Sequence, residues 1–592
     1  MKQSLLLGLA DDRSHEGYQF FAECLDEMLF EYTLDTYKPS SHNPSTLAAE
    51  AIEVVEDIDA GIIDRGNFEH IRDEMRFMIS KDVIAKSLLP VDYEKLLNEC
   101  VADNVSQSKI RFELILVSLA AAKYCNTCVS ALRDLVRIGR EKHEIRFIAR
   151  SFVTSLLRLG YTRRFVREVL RDKIQLVEDK SPEQRLEDFF SAFDRKAKNY
   201  RVVFAGSRLF KKFSQASQDM GASVAELPPA EISPEDLEKL SVQTEGRIFI
   251  AVEIRAMDKF AARRRAEEKI ERITNVYSLF HHAILPAWSE YAWVMEKGEA
   301  QGSLIRPPVP AMSRTLDARP RKAGVQMALA VQNFGLEEES MEQFDRLVGL
   351  HGAAGRTSST SIQLLNLWSA LESSVPKVVR GARVKSVSDT LRPLMRLQYA
   401  CNIFDDLLSD MFRFDSRLVK KALRDVGDQA GNLSRVNLVK LMYLDVHQAA
   451  RDEALAELSR YPLLLNRWND IRERFKSPGE VRKVLDTHDQ RVEWQMRRIY
   501  RTRNLYVHSG RKVELLDMLV ENAHGYLDTF FDGIFAMVKM EPSVTTIDHA
   551  WLVASERVRH WDKLLSVKDA VYTSENVVGL VLGPMAQLVR RS

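Results

Sequence analysis

The sequence predicts a mainly α-helical protein with a small α+β module in its middle. Two patterns predict it. Apolar residues recur at three- and four-residue spacing from Gly17 to about Ile174 and again from about Thr360, the period of amphipathic helices. Between those stretches, near Tyr200 and Arg247, short β-branched and aromatic runs stand beside glycines, as strands do. A chain of 592 residues also exceeds what one hydrophobic core serves, so several regions are expected. The boundaries fall at 1–195 for a helical N-terminal region, 196–345 for the α+β module with its long helix, 346–540 for an antiparallel helical bundle, and 541–592 for a C-terminal tail.

In the first region, "FFAECLDEMLFEYTL", "FELILVSLAAAKYC" and "RFIARSFVTSLLRLGYTRRFVREVLRD" carry the helical period. The pair "CNTC", Cys125 to Cys128, sits in "AAAKYCNTCVSALRDLVRI", which reads as an apolar helix. No second CxxC or His pair at ligand spacing follows, so these read as buried helical cysteines and not as metal ligands. In the middle, "YRVVFAG" and "GRIFIAVEI" read as strands, joined by a Pro-rich segment with a helix start at Ser233-Pro234. "DKFAARRRAEEKIERITNVYSLF" follows as an amphipathic helix. Ala261, Ala262, Ile270, Ile273 and Tyr277 form its packed stripe, and Arg263 to Arg265 its wet side with acids one turn away. The stretch 286–323 reads as strand and loop. From Thr360, "SIQLLNLWSALESSVP", "DTLRPLMRLQYACNIFDDLLSDMFRF", "NLVKLMYLDVHQAARDEALAELS", "HDQRVEWQMRRIYRTRNLYVH" and "VELLDMLVENAHGYLDTFFDGIFAMV" describe a bundle of five or so antiparallel helices.

Composition narrows the function. Lys and Arg total 85 against 84 Asp and Glu, so a uniformly basic surface is excluded and any polyanion site is a local patch. The apolar run of "MKQSLLLGLADD" is too short for a secretory or membrane-spanning segment, and five scattered cysteines do not make a disulfide framework; both point to the cytoplasm, with no membrane partner. There is no GxxxxGK[ST] loop, dinucleotide glycine fingerprint or HExxH, so no nucleotide cofactor or resident metal is expected.

One local patch stands out. Between Arg491 and Lys512 the chain places seven Arg and Lys residues and one acid, Glu493, around a single histidine, His508. Ser509-Gly510 ends the helix, because glycine favours the left-handed position just past a helix. His508 then occupies a last turn whose partial negative charge favours a cation, which suits an acid/base. At ~100° per residue Asn504 and Arg501 share its face, and Arg503 lies ~140° away. Arginine grips phosphate and stabilises charge on a pentacoordinate phosphorus. Histidine moves the proton of a ribose 2′-hydroxyl, a group that DNA lacks.

"RNLYVH", Arg503 to His508, resembles the Arg-polar-x-x-x-His signature of the HEPN superfamily, helical-bundle ribonucleases that include toxins and antiviral effectors. "LLNLWSALES", Leu364 to Ser373, is similar to the Trp-x-Ala-Leu-Glu helix that opens the bundle in the ApeA-like branch. "VELLDMLVENAHGYLDTFFDGIF" is similar to the helix that closes it. The resemblance covers roughly 346–540. It implies that the third region is a HEPN-type bundle, with Arg503 and His508 as the catalytic pair and Asn504 as the polar residue of the motif. Arg501, followed by polar Thr502, also matches at a longer spacing and is the better neighbour of His508 on ideal geometry; it stands as the alternative to Arg503. Glu372 is a third candidate, able to orient the arginine or merely to make a surface ion pair. Arg497, Arg498, Arg501, Tyr506, Arg511 and Lys512 are the candidate RNA contacts, although Tyr506 equally suits the core, as Trp368 does. "RIGREKH", Arg137 to His143, is a second match in the N-terminal region without the flanking elements.

The resemblance further implies a cytoplasmic, metal-independent endoribonuclease acting on tRNA or mRNA, a toxin-like effector of antiphage abortive infection. Its site would form between two facing motifs in a homodimer. The N-terminal and middle regions would then sense a trigger, phage-derived for example, or hold the site shut. The rival reading is a non-catalytic HEPN-fold scaffold that binds RNA or protein.

Overall fold

The structure is a computed structural model that describes residues 15–586, apart from positions 31, 34–36, 90–91, 102–103, 241–246, 315–318, 333–334, 425, 427–433, 511–515 and 569. Among the described residues 71% are helical, in 25 α-helices, and five strands form one small sheet, as the sequence predicts.

The sheet is antiparallel throughout. Its strands are β1 (Lys198–Ser207), β2 (Ala222–Ala225), β3 (Arg247–Ala256), β4 (Ala292–Glu296) and β5 (Ser303–Ile305), in the order β2-β3-β1-β4-β5. The two predicted strands pair directly, Val202 opposite Val252. Ser233 caps the short helix Pro234–Lys239 by accepting from the Asp236 amide. The long helix Lys259–Ser278 covers one sheet face with Ala261, Ala262, Ile270 and Ile273 buried. One expectation is corrected there: Arg263 is not on the wet side but buried, paired with Glu267 at 2.7 Å, donating to the Glu290 carbonyl and lying over the Phe204 ring. A long aliphatic stem lets arginine enter a core when its head finds a carboxylate four residues on.

The two helical regions are not separate bodies. Their apolar side chains form one continuous core that runs from Tyr18 to Ala586, whereas the sheet has its own small cores on either face. Charged links reinforce the junction: Arg467 on helix Pro462–Arg474 reaches both Glu27 of the first helix and Asp410 of the bundle. Cys125 and Cys128 are buried and free on helix Ala121–Ile138, as expected.

Two boundaries shift. Position 346 falls inside helix Glu338–Arg356, so the break between second and third regions precedes that helix. Residues 541–586 are no tail: helix Ile547–Leu565 and the short helix Val577–Leu582 close the bundle, with Trp561 buried and its Nε1 donating to the Leu580 carbonyl at 3.1 Å. The bundle also holds more than five helices, because the Leu438 stretch breaks into Ser434–Tyr443 and Gln448–Leu458, and Ser416–Arg424 and Pro462–Arg474 are further helices. No single described helix is long and apolar enough to cross a membrane; one bent pair, Val105–Ser118 with Ala121–Ile138, passes that test only jointly.

Candidate active site

The helix carrying the motif runs from Pro478 to Ser509, opened by a Ser477 cap and closed by Gly510 at φ 62°. That is the left-handed close the sequence called for, with the Gly510 amide donating to the Tyr506 carbonyl. The decoy fails on the same criterion. A left-handed Gly139 ends helix Ala121–Ile138 between Arg137 and His143, which therefore belong to different helices.

Along the motif helix the cations divide by face. Arg498 is buried and donates to both oxygens of Glu50 (2.8, 3.1 and 2.9 Å) and to Glu74 at 2.6 Å. Arg501, one turn on, also donates to Glu50. Glu50 belongs to helix Pro44–Asp59 and Glu74 to Gly66–Lys81, so this cluster ties the motif helix to the N-terminal region. His42 joins it, its Nε2 3.2 Å from Glu50. Burial alone would raise the Glu50 pKa, but Arg498 and Arg501 override it and hold the carboxyl well below its ordinary range. Burial wins at Glu74, whose pKa is raised against the pull of Arg498. As a correction to the sequence reading, Arg498 and Arg501 are not phosphate contacts in this arrangement, since their charge is spent on buried carboxylates.

Arg503 points elsewhere. It is half-buried, and its described hydrogen bond runs from Nη1 to the Asn504 Oδ1 at 3.0 Å. His508 is exposed one turn beyond the largely buried Asn504. Arg497 pairs with Glu493 at 3.2 Å, Tyr506 is half-buried, and Arg511 and Lys512 lie outside the described residues. The structure thus joins Arg503 to Asn504 and leaves His508 open to solvent, and of the two candidate arginines it engages Arg501.

Glu372 is not brought into this group. Helix Thr360–Ser373 starts beside the closing helix Leu516–Met540, with Thr360 3.4 Å from Asp517, and packs Trp368 against Tyr500 at 5.4 Å between ring centroids. The closing helix folds back along the motif helix, Asn522 reaching Gln495, so helix Thr360–Ser373 runs opposite to the motif helix. Glu372 therefore lies on the far side of Tyr500 from His508, 3.9 Å from Arg383. The start of the closing helix holds groups that the sequence reading missed. Glu521 is buried between Arg314 (2.6 Å), Lys38 (3.0 Å) and Arg163 (3.7 Å), cations from two other regions, and Arg314 also holds Asp517 at 2.9 Å. Nothing in linear spacing signals this cluster, whose members come from four distant segments.

Comparisons with known protein families, with characterised proteins and with solved structures return no match.

Proposed function

We propose that the chain is a metal-independent endoribonuclease of HEPN type, with Arg503, Asn504 and His508 as its catalytic set. The observation that carries the reading is the division of the motif helix. Arg498 and Arg501 are consumed by Glu50 and Glu74, whereas Arg503, fixed by Asn504, and the exposed His508 make no described ion pair with a carboxylate. In the reaction a ribose 2′-oxygen attacks phosphorus and the 5′-oxygen leaves, giving a 2′,3′-cyclic phosphate and a 5′-hydroxyl. His508 takes the 2′ proton or supplies one to the leaving oxygen, and Arg503 neutralises the charge that gathers on the phosphoryl oxygens. One histidine cannot do both at once, so a second copy facing the first in a homodimer completes the pair. Substrates in this reading are tRNA or mRNA, and the setting is a cytoplasmic antiphage effector whose N-terminal region holds the motif helix through Glu50.

The test is cleavage of a tRNA pool by wild type, His508→Ala and Arg503→Ala, with mass in solution measured by light scattering. The reading predicts a dimer, a loss of about 10²–10⁴-fold in rate for His508→Ala and about 10²–10³-fold for Arg503→Ala. Burial of Arg498 and Arg501 favours the second reading, a scaffold with a reduced basic face. RNA binding without cleavage by wild type, in triggered as well as resting cells, establishes that one instead.

A further inference from the structure

The closing helix carries a second chemical site, independent of the cleavage reading. His524 and Asp528 stand one turn apart on Leu516–Met540, so both side chains leave the same face. Helix Glu338–Arg356 packs across from them, Phe344 against Phe531 and Phe535, and brings His351 to the same point. The His351 and His524 ring centroids are 5.0 Å apart. His524 Nε2 lies 3.3 Å from one Asp528 oxygen and His351 Nε2 lies 3.6 Å from the other. All three donor atoms fall within 4.8 Å of one another. The His351 Nε2 is itself buried and makes no hydrogen bond among the described residues.

These separations are wider than a charge-assisted hydrogen bond, ~2.7–2.9 Å. Each is close to the ~3.4 Å between two atoms that each stand ~2.0–2.1 Å from a tetrahedral Zn²⁺, the two imidazoles facing different oxygens of the one carboxylate. We infer that His351, His524 and Asp528 bind one divalent transition-metal ion of the zinc class, which staples helix Glu338–Arg356 to the closing helix. Two imidazoles and one carboxylate favour Zn²⁺ or Co²⁺ over Mg²⁺ and Ca²⁺, which take all-oxygen sets. Asp528 is 44% exposed and His351 31%, so the fourth position faces solvent and takes water. The ion fixes the closing helix one turn after Glu521, beside the cluster that seats the start of that helix. It stands apart from the proposed chemistry at His508, so cleavage that persists in EDTA leaves this inference untouched.

The experiment uses the full chain, stripped with EDTA and desalted, then titrated with Co²⁺ while visible absorption is followed. The expected result is saturation at one equivalent with the intense bands of four-coordinate Co²⁺, displacement by Zn²⁺, and no displacement by Mg²⁺. Zn²⁺ also raises the unfolding midpoint of the stripped wild type, a readout that needs no variant. His351→Ala and Asp528→Asn, both at partly exposed side chains, each weaken binding by about tenfold or more, since loss of a mere outer-sphere partner already costs that much. Failure to saturate at one equivalent or no rise of the wild-type midpoint overturns the inference, and so does undiminished binding in either variant, which would place the ion elsewhere among the chain's 13 histidines.

Discussion

Glu50 shows how one residue sets the meaning of several others. Its carboxylate receives Arg498 and Arg501 and lies beside His42, all buried, so removing it takes away the carboxylate that Arg501 is described on and leaves Arg498 with Glu74 alone in a region of low polarity. Breaking one side of a buried ion pair typically costs about 3–5 kcal/mol. Glu50→Ala is therefore expected to lower unfolding free energy by about that amount in denaturant titration, whereas the exposed pair Arg559–Glu556 can be removed with a change of about 1 kcal/mol or less. The choice between Arg501 and Arg503 was open in the sequence because helix geometry sees only one helix. It could not register a carboxylate supplied from 451 residues away. His508 and its glycine close were legible, since both depend on local backbone preference. His488 adds a pH-dependent term. It is half-buried and stacked on Tyr399, with 3.7 Å between ring centroids, and desolvation, with Arg491, Arg396 and Arg474 nearby, pushes its pKa from 6.5 down to about 3. The unfolded chain therefore binds the proton that the folded chain refuses, so this contribution is complete above pH 6.5 and is lost as pH falls toward 3, by up to about 1.4 kcal/mol per unit. Thermal midpoints of wild type should fall more steeply between pH 6.5 and 4 than those of His488→Phe, which keeps a ring to stack; parallel curves would contradict the assignment.

At the level of elements, the sequence patterns held where a helix has one apolar face and failed where its partner decides. Trp368 reads as core and is core, packed on Tyr500. The segment 541–592 reads as a tail in the sequence although "AWLVASERVRHWDKLL" carries a helical stripe, because its apolar face becomes meaningful only against the bundle that buries Trp561. Arg263 was misplaced for a similar reason: its partners include a carbonyl, Glu290, from the segment leading into β4. A crossing of two helices gives a sharper test. Gly17, at the start of helix Glu16–Leu29, lies against the end of helix Ala121–Ile138, where a Cβ would overlap the Val136 carbonyl oxygen and the Gly139 Cα. Both are backbone atoms, which cannot rotate aside. Gly17→Ala should lower stability by about 1–3 kcal/mol despite alanine's better helix propensity, measured by chemical denaturation, and a neutral or stabilising result would mean that the crossing is looser than described.

For the whole molecule, the continuous core changes what the N-terminal region can do. A detachable sensor would meet the bundle through a small polar interface, but here Glu50 and Glu74 grip the motif helix, and Lys38 and Arg163 grip the closing helix that follows it. Any trigger acting through this region would have to act on the seating of those two helices, not on a hinge. The proposed role of His508 is to cleave RNA without a metal. Its most direct measurement is the chemistry of product ends after wild type and His508→Ala are incubated with tRNA in excess EDTA. The expected ends are 2′,3′-cyclic phosphate and 5′-hydroxyl from wild type and none above background from the variant. Equal cleavage by both proteins, or 3′-hydroxyl ends from either, would contradict it.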